Sequence, residues 1–145
     1  MQIGVIGAGS WGTTLADLLA DKGFKVTLWA YEADLVERLQ ETRENDLYLP
    51  GFTLAENLDF TNTLADAVTG KQLVLFVPPS QILRSLLQKV VNAFSNDAII
   101  VSASKGIENE SLLPMSEIFA ELLPPTLQER TAYLSGPSFA KEVAQ

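Results

Sequence analysis

Along this chain, short runs of apolar, β-branched and aromatic residues alternate with longer stretches whose apolar positions recur every three or four residues. Residues 2–6, 25–29, 58–60, 73–77, 98–102 and 131–134 read as strands. Helices are expected around Leu15, Leu18 and Leu19, and at 33–42, 63–68, 80–92 and 114–122. Alternation of this kind predicts an α/β fold with a mostly parallel sheet and helices on both faces. Leu73 to Val77 contains no polar residue, as a strand covered on both faces requires, so it is placed near the centre of the sheet.

The punctuation between these runs supports the same division. Gly23 follows the first helical pattern and is expected in the left-handed conformation that ends a helix. Pro114 fits a first helical turn, and Pro124-Pro125 is expected to end that element. No internal repeat, low-complexity tract or shift of composition divides the chain, so residues 1–145 are expected to form one domain. Gly136-Pro137-Ser138 reads as a turn into a further helix, and the sequence ends at Gln145 within about two turns of its start. The chain is therefore expected to be the N-terminal part of a longer protein.

Composition then narrows the chemistry. With 145 residues and 47% apolar content, the chain is long enough to bury roughly 68–70% of its unfolded surface. A net charge of -8 argues against nucleic acid as a partner, because nucleic-acid binders present a basic stripe. No apolar run approaches the ~18 residues of a membrane span, and Met1-Gln2-Ile3 enters an apolar run without a basic leader. Cysteine is absent, which excludes disulfides and thiolate chemistry and fits a cytoplasmic location. Histidine is absent too, so no metal site is expected, and proton transfer falls to lysine, a carboxylate, tyrosine or a group outside this chain.

The first strand runs directly into Gly7-Ala8-Gly9-Ser10-Trp11-Gly12, which opens the helix carrying Leu15. Glycines at this spacing, between a strand and a helix, form the dinucleotide fingerprint of Rossmann-type, doubly wound sheets. Gly7 makes the tight turn, Gly9 lets the backbone approach a pyrophosphate, and Gly12 lets the helix lie close to the strand. Free amides and the helix dipole then face the phosphates. An acidic residue for the ribose 2′-hydroxyl is expected about 20 residues beyond the glycines. Ala30 and Tyr31 stand there, with Glu32 next and no arginine near to attract a 2′-phosphate. NAD is therefore favoured over NADP, with Tyr31 placed at the coenzyme. Glu32 also suits the start of a helix as an ordinary solvated carboxylate.

Four more segments fall where strands end. They are Leu47-Tyr48-Leu49-Pro50-Gly51; Val77-Pro78-Pro79-Ser80 with Arg84; Ser104-Lys105-Gly106-Ile107-Glu108; and the run from Leu134 to Glu142 that contains Gly136-Pro137-Ser138-Phe139-Ala140. With the glycine turn, in this order, the whole chain resembles the N-terminal domain of bacterial glycerol-3-phosphate dehydrogenases. The resemblance implies hydride exchange between NAD(P)H and carbon 2 of dihydroxyacetone phosphate, giving sn-glycerol 3-phosphate for phospholipid synthesis. It places Ser10 and Trp11 at the coenzyme, Lys105 at coenzyme and substrate, Gly136 and Ser138 at substrate, and Ala140 beside the coenzyme. It also implies a homodimer for the full-length protein, and a proton-transferring lysine in a C-terminal helical domain absent from this chain. This chain alone is then expected to bind dinucleotide and turn over little substrate. Two departures stand out. Pro78-Pro79-Ser80 has one proline more than the common form, and Ala30-Tyr31 lacks the arginine of NADP-using members.

Lys105 suits its implied role, since an ammonium at a strand end can hydrogen-bond a carbonyl oxygen as negative charge grows on it. A lone lysine after a strand is otherwise an ordinary surface residue. Ser138 fits an N-cap as well as a substrate contact. Trp11 and Tyr48 fit packing roles, with Tyr48 read as a loop anchor. Two other functions remain open on the residues: a related hydroxyacid or sugar-phosphate dehydrogenase, and a redox-sensing dinucleotide module without catalysis.

Overall fold

The computed structural model describes every residue except Pro137 and Ser138. In chain order its elements begin with β1 (Gln2–Ile6), α1 (Ser10–Asp21), β2 (Lys25–Trp29), α2 (Ala33–Thr42), β3 (Glu44–Asn45), β4 (Leu49–Thr53) and β5 (Leu58–Thr61). They continue with β6 (Leu73–Phe76), α3 (Ser80–Val90), β7 (Ile99–Ser102), α4 (Met115–Leu122), α5 (Pro125–Gln128), β8 (Thr131–Tyr133) and α6 (Ala140–Val143). Six strands form one sheet in the order β5-β2-β1-β6-β7-β8, and every neighbouring pair is parallel. The chain builds outward from β1 through β2 to β5, then crosses back to place β6 on the other side of β1. This is the Rossmann-type doubly wound arrangement, with its switch point between β1 and β6.

Strand pleating explains why both faces are apolar. Ile3, Val5, Val26, Leu28 and Leu75 point to one face, where they pack with Leu15, Ala16, Leu35 and Leu39 of α1 and α2. Ile6, Val74, Phe76 and Ile100 point to the other, against Leu83, Leu87, Ile118 and Phe119 of α3 and α4. In α3, Leu83, Leu86, Leu87 and Val90 are all buried, the three-and-four spacing of a single helical face. Each such aliphatic side chain stabilises the fold by roughly 1.5–3 kcal/mol. Phe76 and Phe119 meet edge to face at 5.4 Å, beneath the ends of the strands that line the switch point.

Several elements differ from the expectations, each for a local reason. The segment 63–68 forms only a 3-10 turn, Leu64–Ala67. The helix expected to reach 92 ends at Val90 and continues as a 3-10 turn, Val91–Ala93. Pro114 stands just before α4 as its extended N-cap. Pro124-Pro125 not only follows α4 but starts α5, with Pro125 in the first helical position, where a missing N–H costs no hydrogen bond. Gly23 takes the expected left-handed conformation at φ 87°.

The antiparallel pair β3-β4 was not anticipated, and it bears on the site. Arg43 ends α2 in the left-handed conformation at φ 54°, which costs roughly 1–2 kcal/mol for a residue with a Cβ. Its side chain is held in return. The guanidinium donates to the carbonyls of Leu58, at 2.9 Å, and Ala55, and lies 4.8 Å from the centre of the Phe60 ring. That anchored bend sends the chain back under the start of α1 and delivers Asn45 to the glycine turn.

Candidate functional site

The bend between β1 and α1 has little room for side chains. Gly7 has φ 112°, and a Cβ there would lie 3.0 Å from the Pro78 nitrogen. At Gly12 a Cβ would lie 1.8 Å from the Gly7 carbonyl oxygen, a distance no backbone tolerates. Gly9 is different: nothing lies within 4 Å of where its Cβ would be. It is the N-cap of α1, and its carbonyl accepts the first intrahelical bond from Thr13 N–H at 2.9 Å. The leading amides of a helix have no intrahelical acceptor, and the first turn of α1 carries no acidic residue. The positive end of the helix therefore faces open space uncompensated.

That space is a cleft of about 590 Å³ at the C-terminal ends of the strands. Gly7, Gly9, Ser10, Trp11 and Gly12 form one wall. Tyr31, Glu32 and Tyr48 line the rim beyond β2, while Pro78, Pro79, Ser104 and Lys105 line the side of β6 and β7. Ala140 closes the end, and its carbonyl accepts the Thr14 hydroxyl at 3.3 Å. Of the residues singled out in the sequence, these come together as expected. Gly136 lies just outside the wall but touches Lys105. Ser138 lies outside the described residues. A second cavity of about 660 Å³ lies over the outer edge of the sheet. There Lys71 is spent on the Thr27 hydroxyl, and Arg43 on backbone carbonyls. It has neither glycine turn nor helix start, so its size does not make it the stronger candidate.

Asn45 supports the glycine turn from below. It is wholly buried, and its Nδ2 donates to the Ala8 carbonyl at 2.9 Å and to Thr13 Oγ1 at 2.8 Å. Its Oδ1 accepts the Tyr48 N–H at 3.0 Å. The Tyr48 hydroxyl in turn donates to Glu32 Oε1 at 2.9 Å. This contact, above all, pushes the phenol's pKa above its ordinary value. Tyr48 does anchor a loop, as expected, and it also holds a carboxylate at the cleft. Sequence reading missed Asn45 entirely; an amide just past a helix end carries no local signature of its partner.

Lys105 stands on a braced loop. Its Nζ donates to the Gly136 carbonyl at 3.4 Å, and the other two of its three N–H groups have no acceptor among the described residues. Before it, the Ser104 hydroxyl donates to the Pro78 carbonyl at 2.6 Å. After it, Gln81 of α3 donates to the Ile107 carbonyl and accepts the Asn109 N–H, both at 2.9 Å. Arg84 grips both oxygens of buried Glu108, at 2.9 and 3.0 Å, and reaches Glu121 at 2.7 Å. Arg84 first, and the Ser111 hydroxyl second, hold the Glu108 carboxyl below its usual range. No group of three or more His, Cys, Asp or Glu side chains is placed to hold a metal among the described residues. No helix among them is long and apolar enough to cross a membrane.

Residues 2–145 match the family described as the NAD-dependent glycerol-3-phosphate dehydrogenase N-terminus. The chain is 57% identical over 144 residues to the glycerol-3-phosphate dehydrogenase (NAD(P)+) of Syntrophotalea carbinolica, covering 99% of this chain and 43% of that protein. Among solved structures, glycerol-3-phosphate dehydrogenase from Coxiella burnetii superposes with a TM-score of 0.85 at 35% identity, covering 99% of this chain and 43% of that one. The enzyme from Saccharomyces cerevisiae gives a TM-score of 0.82 at 30% identity, covering 99% and 44%. The chain thus spans less than half the length of these relatives.

Proposed function

This chain belongs to the NAD-dependent glycerol-3-phosphate dehydrogenase family, and from that premise we propose that it is the coenzyme-binding part of an enzyme interconverting dihydroxyacetone phosphate and sn-glycerol 3-phosphate. The observation that carries the reading is the start of α1: amides with no intrahelical acceptor, no acidic residue in the first turn, and empty space in front of Gly9. A diphosphate is the ligand chemistry such a cradle accepts. The residues present therefore fit a dinucleotide, held by the backbone from Gly9 to Gly12, with Trp11, Tyr31 and Ala140 along its length. Glu32 at the rim favours NAD over NADP.

When bound, the nicotinamide supplies hydride transfer. The residues of this chain bind, orient and stabilise. In the proposal, Lys105 donates one of its N–H groups to the substrate carbonyl oxygen, where negative charge grows as hydride arrives. The braces from Gln81 and Arg84 fix the loop that carries it, so little reorganisation is needed at the moment of reaction. Gly136, whose carbonyl accepts from Lys105, is assigned to the substrate side, and so is Ser138 by the resemblance. No lysine besides Lys105 lines the cleft among the described residues to transfer the proton. We assign that role to the further length found in the relatives, and expect this chain alone to turn over little substrate. The same proposal places the longer protein in the cytoplasm, acting on a small phosphorylated substrate as a homodimer.

Joining this chain to the further length found in its relatives, and following NADH oxidation, tests the reading. Oxidation is expected to rise sharply on adding dihydroxyacetone phosphate. A rate no higher than without it would instead favour a redox-sensing module.

A further inference from the structure

Glu32 stands at the N-cap position of α2 and lines the cleft. Its own helix does nothing to hold it, for the side chain makes no capping hydrogen bond. A glutamate held by nothing samples many rotamers, and ordering it for a ligand opposes binding. Here it is already ordered. Tyr48, 16 residues away, donates its hydroxyl to Oε1. Tyr48 is fixed through its N–H to buried Asn45, and Asn45 is fixed on the Ala8 carbonyl. One continuous run of hydrogen bonds thus ties the rim carboxylate to the turn that faces the diphosphate. Oε2 of Glu32 has no protein donor among the described residues, and remains able to accept.

We propose that Tyr48 is a coenzyme-specificity residue: by holding Glu32 at the rim of the cleft, it presents a fixed carboxylate to the adenosine ribose of NAD and against the 2′-phosphate of NADP. The inference rests on the coenzyme reading given above. A ribose hydroxyl has a proton to donate to Oε2, and a hydrogen bond to a charged acceptor is about twice as strong as a neutral one. A 2′-phosphate carries negative charge and meets a carboxylate that cannot swing away. Lys105 is the one cation lining the cleft among the described residues, and it stands on the side of β7, away from this rim. No other lysine or arginine lines the cleft among the described residues to offset the repulsion.

The test is calorimetric titration of the 145-residue chain with NADH and NADPH, in the parent and in Tyr48→Phe, Glu32→Gln and the double variant, each checked for folding by thermal unfolding. The parent is expected to prefer NADH. Tyr48→Phe keeps the ring and removes one hydroxyl, and it is expected to cut the NADH-over-NADPH affinity ratio roughly fivefold. Glu32→Gln is expected to cut it further, and the double variant to match Glu32→Gln alone. Three results would overturn the inference while leaving coenzyme binding intact: a parent that prefers NADPH, a ratio unmoved by Tyr48→Phe or by Glu32→Gln, or losses that add in the double variant. Uptake of neither coenzyme by folded parent chain would overturn the coenzyme reading itself, and this inference with it.

Discussion

Asn45 Nδ2 donates to the carbonyl oxygen of Ala8 at 2.9 Å, across 37 residues of sequence. The bond turns that carbonyl into the body of the domain, so that the amides beyond it face the cleft. The same amide group meets Thr13 of α1, and the Asn45 carbonyl meets Tyr48 N–H. One buried side chain therefore fixes the glycine turn, the helix it opens and the rim opposite.

Asn45→Ala leaves the Tyr48 N–H without its acceptor, and leaves the buried Ala8 carbonyl and Thr13 hydroxyl with only their long 3.3 Å bond to each other. The expected loss of stability is about 1–3 kcal/mol, the usual penalty for unpaired buried polar groups. NADH affinity is expected to fall as well. Urea unfolding and calorimetry on the same preparation check both.

Gly12→Ala sets a methyl 1.8 Å from the Gly7 carbonyl oxygen, where neither partner is a flexible side chain. The helix has to move off the strand, and the expected loss is roughly 1–3 kcal/mol, as for an overpacked core. A fall in thermal midpoint is the readout. An unchanged midpoint would mean that α1 can shift without loss.

Much of the architecture was legible in the residues alone, because strand and helix periods alternate and the glycine spacing dictates a tight turn from β1 into α1. The central place of β6 could be read from Leu73 to Val77 for a physical reason: only a strand covered on both faces can go without polar residues. The hairpin β3-β4 was not legible. Pro50 and Gly51 interrupt β4, β3 has two residues, and the turn before it rests on a left-handed Arg43 rather than a glycine. In the site, the glycines and the rim residue Tyr31 could be named from local context, and Lys105 only through the resemblance carried by the residues around it. Asn45, Gln81 and the Tyr48–Glu32 contact could not, since each exists only once distant loops meet.

Lys105→Ala, in a protein that includes the further length found in the relatives, is expected to lower turnover by about 10²–10³-fold, the usual effect of losing one donor to a developing oxyanion. The fold and most NADH affinity are expected to remain, because among the described residues Lys105 bonds only to the Gly136 carbonyl. Steady-state rates with dihydroxyacetone phosphate, beside NADH titration, separate these. An unaltered rate would make Lys105 an ordinary surface lysine.

The Arg84–Glu108 pair gives a pH dependence of definite sign. The Glu108 carboxyl is held below its ordinary value in the folded chain, so the folded state favours the ionised form. Its contribution to stability is present above the ordinary glutamate range, and is lost as pH falls through the lowered folded value. Thermal midpoints measured from about pH 6 down to about pH 3 are expected to fall less steeply in Glu108→Gln than in the parent, even if the variant starts out less stable. Parallel curves would remove Glu108 from the acid response.

The central claim, that the start of α1 grips a diphosphate, is tested most directly by titrating folded parent chain and Gly9→Ala with NADH. Gly9 has φ -67° and ψ 179°, a conformation alanine adopts freely, and no protein atom stands near the added methyl. The variant is expected to unfold at the parent's temperature and to bind NADH at least about tenfold more weakly, because the methyl occupies the space where the backbone meets the coenzyme. Equal affinity in the two proteins, or no saturable binding by the folded parent, would contradict the account.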